Sequence, residues 1–211
     1  MYLPKPSESG SFELPPAGTH VAVCYRFIDR GTQMTEYMGD RKTRHEIMLT
    51  WELGEELMSD GRPFSISKTY TWSMNEKATL RKHLKAWRGR AFTDDDFEGP
   101  NAFNTKKLLG APCMLTITHE TKGDKTFANI SGIGKLTKGF TPKSLSNTTV
   151  YLALTKEAWN RDLYEALSEK MKEIIGASPE YKAMMQELRQ SDDPGIPEAR
   201  GGTDLHDDIP F

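Results

Sequence analysis

The chain has 211 residues, 27% of them charged and 36% apolar, and a formal net charge of −2. That suits one globular domain with an appendage, and it is long enough to bury a substantial core. No run approaches the roughly 18 apolar residues of a membrane span, and no charged-then-apolar leader opens the sequence, so a cytoplasmic location is expected.

Residues 1–18, rich in proline and glycine, read as an extended N-terminal arm. In Thr19 to Phe27, Val21, Val23, Tyr25 and Phe27 alternate with His20, Ala22, Cys24 and Arg26, the period of a strand. IDRGTQMTEYMGDRKTR then reads as a long polar loop. A second strand follows in HEIMLTWEL, with Ile47, Leu49, Trp51 and Leu53 on one face, and a third in Phe64 to Trp72 after the turn SDGRP. Ser73-Met74-Asn75-Glu76 matches a capping box, which predicts a helix from Ser73 carrying Leu80, Leu84 and Trp87 and ending at Gly89. PCMLTITHE and KTFANISGIGKL are the fourth and fifth strands, joined by a turn at Gly123-Asp124.

The order β-β-β-α-β-β is that of a five-stranded OB barrel, so the fold class expected over residues 19–155 is mainly β with α. Residues 156–190 read as a C-terminal helical segment. Trp159, Leu163, Leu167 and Met171 recur every four residues, and Ser178-Pro179-Glu180 opens a further helix. Beyond Gln190 periodicity vanishes, and residues 191–211 are expected to be a disordered acidic tail. That tail holds six acids against Arg200, a net −5, which leaves the body at +3. A basic body with an acidic tail points to a polyanionic partner and a tail that competes with it.

Chemistry is scarce. The two cysteines, Cys24 and Cys113, lie far apart in apolar runs and read as reduced core thiols, and the five histidines have no ligand spacing. No phosphate loop, HExxH or GxSxG motif occurs. Asp94-Asp95-Asp96 is a formal Mg²⁺ candidate and the basis of a metal-nuclease alternative, but behind Thr93 it reads as a helix cap. The expectation is therefore a protein without catalysis, metal or cofactor.

Binding chemistry is better represented. Single-strand binders combine cations for phosphates with aromatics on which bases stack. In an OB fold the strand crosses strands two and three, between the loops joining strands one and two and strands four and five. The first loop carries Arg30, Tyr37, Arg41, Lys42 and Arg44, the second Lys122 and Lys125, and the third strand Lys68, Tyr70 and Trp72. Tyr70 and Trp72 read equally as core or as stacking platform. Lys68 shares the parity of Phe64 and Ile66, so either a bulge re-phases the strand or its end projects beyond the barrel.

The chain ends in Asp207-Asp208-Ile209-Pro210-Phe211. This resembles the C-terminal tip of bacterial single-stranded DNA-binding proteins, whose acidic tails recruit replication, recombination and repair proteins. LPPAGTHVAV, the segment from Gly31 to Leu53, FSISKTYTWSMNEKATLRKHLKAWRGRAF and the helices after Lys156 resemble instead a group of bacteriophage-encoded single-stranded DNA-binding proteins with an OB core. The resemblance implies binding of single-stranded DNA without sequence preference in phage replication or recombination. It also implies partner recruitment through Asp207 to Phe211 and no membrane association, and it leaves homo-oligomerisation open. The alternative of another class is an OB-fold adaptor that binds protein within the replication machinery.

Overall fold

The computed structural model describes residues 13–37, 40–100 and 102–192. The first twelve residues of the expected arm lie outside that range, as do residues 193–211 of the tail with the tip Asp207 to Phe211. Six strands form one sheet: β1 Gly18–Tyr37, β2 Asp40–Leu57, β3 Pro63–Thr71, β4 Pro112–Lys122, β5 Lys125–Lys135 and β6 Val150–Leu152. The order across the sheet is β3-β2-β1-β4-β5, all antiparallel, and β6 pairs parallel with β1 at Arg26 to Ile28. The protein is thus mainly β with α, as the sequence suggested. The expected five-stranded barrel is replaced by an open six-stranded sheet. β3 and β5 are its edges, and among the described residues no ladder joins them.

The expected first loop is not a loop. β1 and β2 run on as a paired ribbon to Tyr37 opposite Asp40. Thr32, Thr35, Tyr37 and Thr43 are strand formers, and cross-strand pairing continues through Gln33 with Arg44 and Thr35 with Lys42. Register slips occur between Cys24 and Arg26 and between Asp29 and Gly31. Each inserts an extra residue and turns the strand over. Ala22 and Cys24 therefore share the inner core with Phe27, although simple alternation gives them opposite parity. Burial in that core pushes the Cys24 thiol up to about 12, and both cysteines are free and buried.

The inner core is built from Ile47, Leu49, Trp51 and Leu53 of β2, Phe64, Ile66 and Tyr70 of β3, and Cys113, Leu115 and Ile117 of β4. It is closed by α1, Thr79–Arg88, through Leu80, Leu84 and Trp87. The helix begins six residues later than the capping box at Ser73 suggested. Ser73 Oγ instead accepts from Asn75 N at 3.3 Å, and Asn75 Oδ1 accepts from Lys77 N at 3.1 Å. Such short side-chain bonds compete with a helical turn. The stop at Gly89 holds, with φ +70° and its N–H donating to Lys85 O. Asp96 caps the turn at Thr93 and binds Arg88 Nη2 at 2.6 Å. That guanidinium, helped by the Thr93 N–H, holds the Asp96 carboxyl well below the usual carboxylate range.

A second core covers the outer face of β1. Ile28 packs with Leu152, Leu154, Ile175 and Met184 under α2 Arg161–Glu165, α3 Glu169–Ala177 and α4 Pro179–Asp192. The stripe from Trp159 to Met171 joins this core, but across a break at Ala166 to Ser168 rather than along one helix. Ser178 starts α4 as expected, accepting from Tyr181 N at 3.2 Å. Glu180 accepts from the N–H and hydroxyl of Thr32 on the ribbon. Gly31 has φ +68° where it meets Ser178, and a side chain there would collide with the serine.

Candidate nucleic-acid interface

β3 alternates cleanly. Phe64, Ile66 and Tyr70 turn inwards, whereas Ser65, Ser67, Thr69 and Thr71 are exposed. The outward residues form a row of hydroxyls, three of them bonded to the neighbouring strands. Ser67 pairs with Thr50 at 2.9 Å, Ser65 accepts from Tyr25 Oη at 3.3 Å, and Thr69 accepts from Arg30 Nη1 at 3.2 Å. From Phe64 to Thr71 this row spans roughly 25 Å at the rise of a strand.

A different element stands at each end. Beside Ser65 and Ser67 lies the start of β5, and Lys125, Phe127 and Ala128 share with them a hollow of about 570 Å³. A second hollow of about 580 Å³ continues past Thr69 and Thr71 to Asn75 and Lys77. At the far end, Trp72 N donates to His45 O at 2.7 Å, which ties the strand to the root of the β1–β2 ribbon. The groove along β3 therefore runs between the β4–β5 hairpin and the ribbon.

The predicted binding residues divide into three groups. The first reaches solvent. Lys42 and Arg44 alternate onto one face of the ribbon and are exposed, as is Lys125, and none of the three makes an ion pair among the described residues. Trp72 is 43% exposed and touches Phe27 edge-on at 6.2 Å. The second group already has partners. Arg30 Nη1 binds Glu46 at 2.7 Å, Arg41 Nε binds Glu36 at 3.0 Å, and Lys122 Nζ binds Glu120 at 3.3 Å. Tyr37 belongs to none of the three groups; its backbone ends β1 opposite Asp40.

The third group turns inwards. Tyr70 is 3% exposed and its hydroxyl pairs with His83 Nδ1 at 2.9 Å, so its ring is core and offers no face to a base. Lys68 keeps inward parity without any bulge, and its strand does not project there. Its ammonium crosses to the opposite sheet edge and donates to Ile130 O at 2.8 Å. The carbonyl of an edge strand has no ladder partner, so the lysine satisfies it and spans the gap. Desolvation lowers the Lys68 pKa.

Three features escaped the sequence reading. The hydroxyls of Ser65, Ser67, Thr69 and Thr71 follow from the alternation in FSISKTYT. Phe127, 47% exposed in the groove, lies three residues after the Gly123-Asp124 turn, where an aromatic has no core to enter. Lys77 lies in the stretch assigned to a helix. Its N–H donates to Asn75 Oδ1 and its side chain is exposed.

Acids near the groove are largely committed. Glu36, Glu46 and Glu120 each hold a cation, and Glu52 is buried, accepting from Ser146 N and Asn147 N at 2.9 Å each. Asp124 in the hairpin turn offsets part of the charge of Lys125. Among the described residues Lys42, Arg44, Lys77 and Lys125 make no ion pair, and the acids beside them that make none either are Asp40, Glu76 and Asp124. No family model matches the chain, and no similar curated protein is found, so the reading of this site rests on its own geometry.

Proposed function

We propose that the protein binds single-stranded DNA along β3, in the manner of an OB-type domain, without catalysing a reaction. The observation that carries this reading is the hydroxyl-lined groove held between two cation-bearing hairpins, with Phe127 and Trp72 exposed at its ends. The strand order and the helix between β3 and β4 are those expected of an OB fold, with Lys68 standing where a closing ladder would be. Hydroxyls and ammonium groups contact phosphate whatever the sequence, and an aromatic face accepts any base, so sequence-tolerant binding follows. The acidic tip from Asp207 to Phe211 would then recruit replication, recombination or repair proteins in a host cytoplasm.

Titration with oligo-dT at several salt concentrations tests the reading. Four unpaired cations at phosphates give a log–log salt slope of about −3, at roughly −0.7 per contact. Replacing both Lys42 and Arg44 with alanine is expected to flatten the slope by about 1.4 and leave the melting temperature in place. An unaltered slope removes the ribbon from the site. No binding at low salt rejects the reading in favour of a protein-binding adaptor.

A further inference from the structure

We propose that a cavity away from the β3 groove binds a small organic acid with an apolar body and one anionic head. The cavity, of about 310 Å³, lies between the second half of α1, the turn Thr105–Leu108, the start of β4 and the end of β5. It shares no lining residue with the groove. Leu84, Trp87, Phe103, Leu108, Pro112 and Leu136 make its walls apolar, and its charged lining is entirely cationic, from Arg88, Lys107 and Lys135.

The polar groups of the wall divide into spent and unspent ones. Trp87 gives its indole N–H to Pro112 O at 2.8 Å, so only its apolar ring is left for a ligand. The Arg88 guanidinium lies 4.4 Å from the centre of the Phe92 ring and 5.3 Å from that of Phe103, and its Nη2 binds Asp96 at 2.6 Å. Its Nη1 is buried without a partner. Asp96 in turn is taken up by Arg88, Arg90 and the Thr93 N–H. The Lys135 stem passes Gly89 so closely that an added Cβ there would lie 3.1 Å from Lys135 Cδ. Lys107 and Lys135 are exposed and make no ion pair among the described residues.

This lining selects its ligand. A neutral hydrocarbon would leave both lysines unused, whereas a carboxylate at one end of an apolar body gains charge-assisted hydrogen bonds from them. A nucleobase is a poor occupant, because its edge groups would lie against Leu84, Leu108 and Leu136 without hydrogen-bond partners. At roughly 30 Å³ per water-sized group the space holds about ten non-hydrogen atoms, near the lower end of the range for ligand pockets. A medium-chain fatty acid and a bicyclic aromatic acid both meet that description. α1 closes the inner core through Leu84 and Trp87, so an occupant adds to the packing of α1 and stabilises the fold by linkage. Oligo-dT binding reads the groove and not the cavity, so this inference and the proposed function fail separately.

The test titrates the full-length protein with decanoate, kept below its micelle concentration, and separately with naphthoate. NMR follows the Trp87 indole N–H and the methyls of Leu84, Leu108 and Leu136. Saturable shifts are expected, with a Kd of roughly 0.05–0.5 mM for ligands of this size. Shifts with decanoate alone assign an aliphatic acid, and shifts with naphthoate alone an aromatic one. Ligand at ten times its Kd should move the folding equilibrium about 11-fold towards the native state. The Lys107→Ala/Lys135→Ala pair, both exposed, should weaken the acids about five- to tenfold and leave the binding of decanol and naphthalenemethanol as it is. Absence of a saturable shift with either acid overturns the proposal. Alcohols that bind as tightly as the acids, or acids undiminished by the lysine pair, do the same. Displacement of the bound acid by oligo-dT gives the cavity to nucleic acid and overturns it too, as do shifts confined to Phe127 and Ala128.

Discussion

On the inner side of β2 and β3, Ile47, Leu49, Trp51, Leu53, Phe64, Ile66 and Tyr70 are all at most 8% exposed, while Ser65, Ser67, Thr69 and Thr71 face solvent from the same strand. The two sides separate stability from recognition. Inside, shape decides. Trp51 and Trp87 lie 5.8 Å apart, and the lone charge, Lys68, is tolerated because it satisfies an edge carbonyl. Outside, the residues are small, polar and bonded to their neighbours, which fixes their positions without burying them. Tyr70 and Trp72, two residues apart, differ in exposure rather than in parity: Tyr70 is 3% exposed, and Trp72, past the end of β3, is 43% exposed while touching Phe27 of the inner core.

The largest effect that would sharpen the contrast comes from Trp51→Ala. Its side chain is fully buried, so the loss combines transfer and cavity terms and is expected at about 3–5 kcal/mol of unfolding free energy. Phe127→Ala should cost no more than about 0.5 kcal/mol of stability, as for an exposed site. It should weaken oligo-dT binding by roughly 1–3 kcal/mol if a base stacks on the ring. Urea unfolding and DNA titration on both variants check this. A stability loss in Phe127→Ala comparable to that in Trp51→Ala would collapse the division.

The next effect concerns the seam between ribbon and helices. Gly31→Ala meets two obstacles. A non-glycine residue at φ +68° costs about 1–2 kcal/mol, and its side chain meets Ser178, which is fully buried. Hydrogen exchange should quicken in α4 and at Thr32, whose N–H donates to Glu180 at 2.8 Å. Protection in α1, on the other side of the sheet, should hold. Uniform loss of protection would mean that the helices and the sheet unfold as one unit.

Much of the fold was legible because alternation and short turns are local. The strand order, the Gly123-Asp124 turn, the stop at Gly89 and the start of α4 at Ser178 all depend on neighbouring residues. What escaped depends on distant ones. The ribbon from Ile28 to Arg44 reads as polar loop because neither side has an apolar stripe, and its pairing is set across strands. The slips at Tyr25 and Arg30 are invisible to a period-two count, yet they decide which residues of β1 face the inner core. Lys68 is intelligible only once Ile130 is known to face it across the sheet edges. At the candidate site, charge was legible but engagement was not. Arg30, Arg41 and Lys122 look as available as Lys42 in the sequence, and their acid partners emerge only from pairing.

The smallest expected effect is pH dependence, and it belongs to the inner side. His83 is partly buried on α1, bonded to Tyr70 Oη and near the Lys68 ammonium. Desolvation, with a further push from that ammonium, lowers its pKa below the ordinary 6.5. Protonation on acidification thus favours the unfolded chain first. Stability is unaffected above about pH 6.5, falls as pH drops towards the folded-state value, and levels once both states are protonated. Asp96 acts in a separate, lower window. Its carboxyl is depressed from 3.8 by Arg88, so its contribution is present above that value and lost further into acid. Urea midpoints between pH 7 and 4.5 should therefore decline in the wild type and flatten in His83→Gln, which keeps an acceptor for the Tyr70 hydroxyl but cannot charge. The mirror experiment lies outside: Lys42→Ala and Lys125→Ala should leave the pH profile of stability as it is. An equal decline in His83→Gln would move the titrating group elsewhere in the molecule.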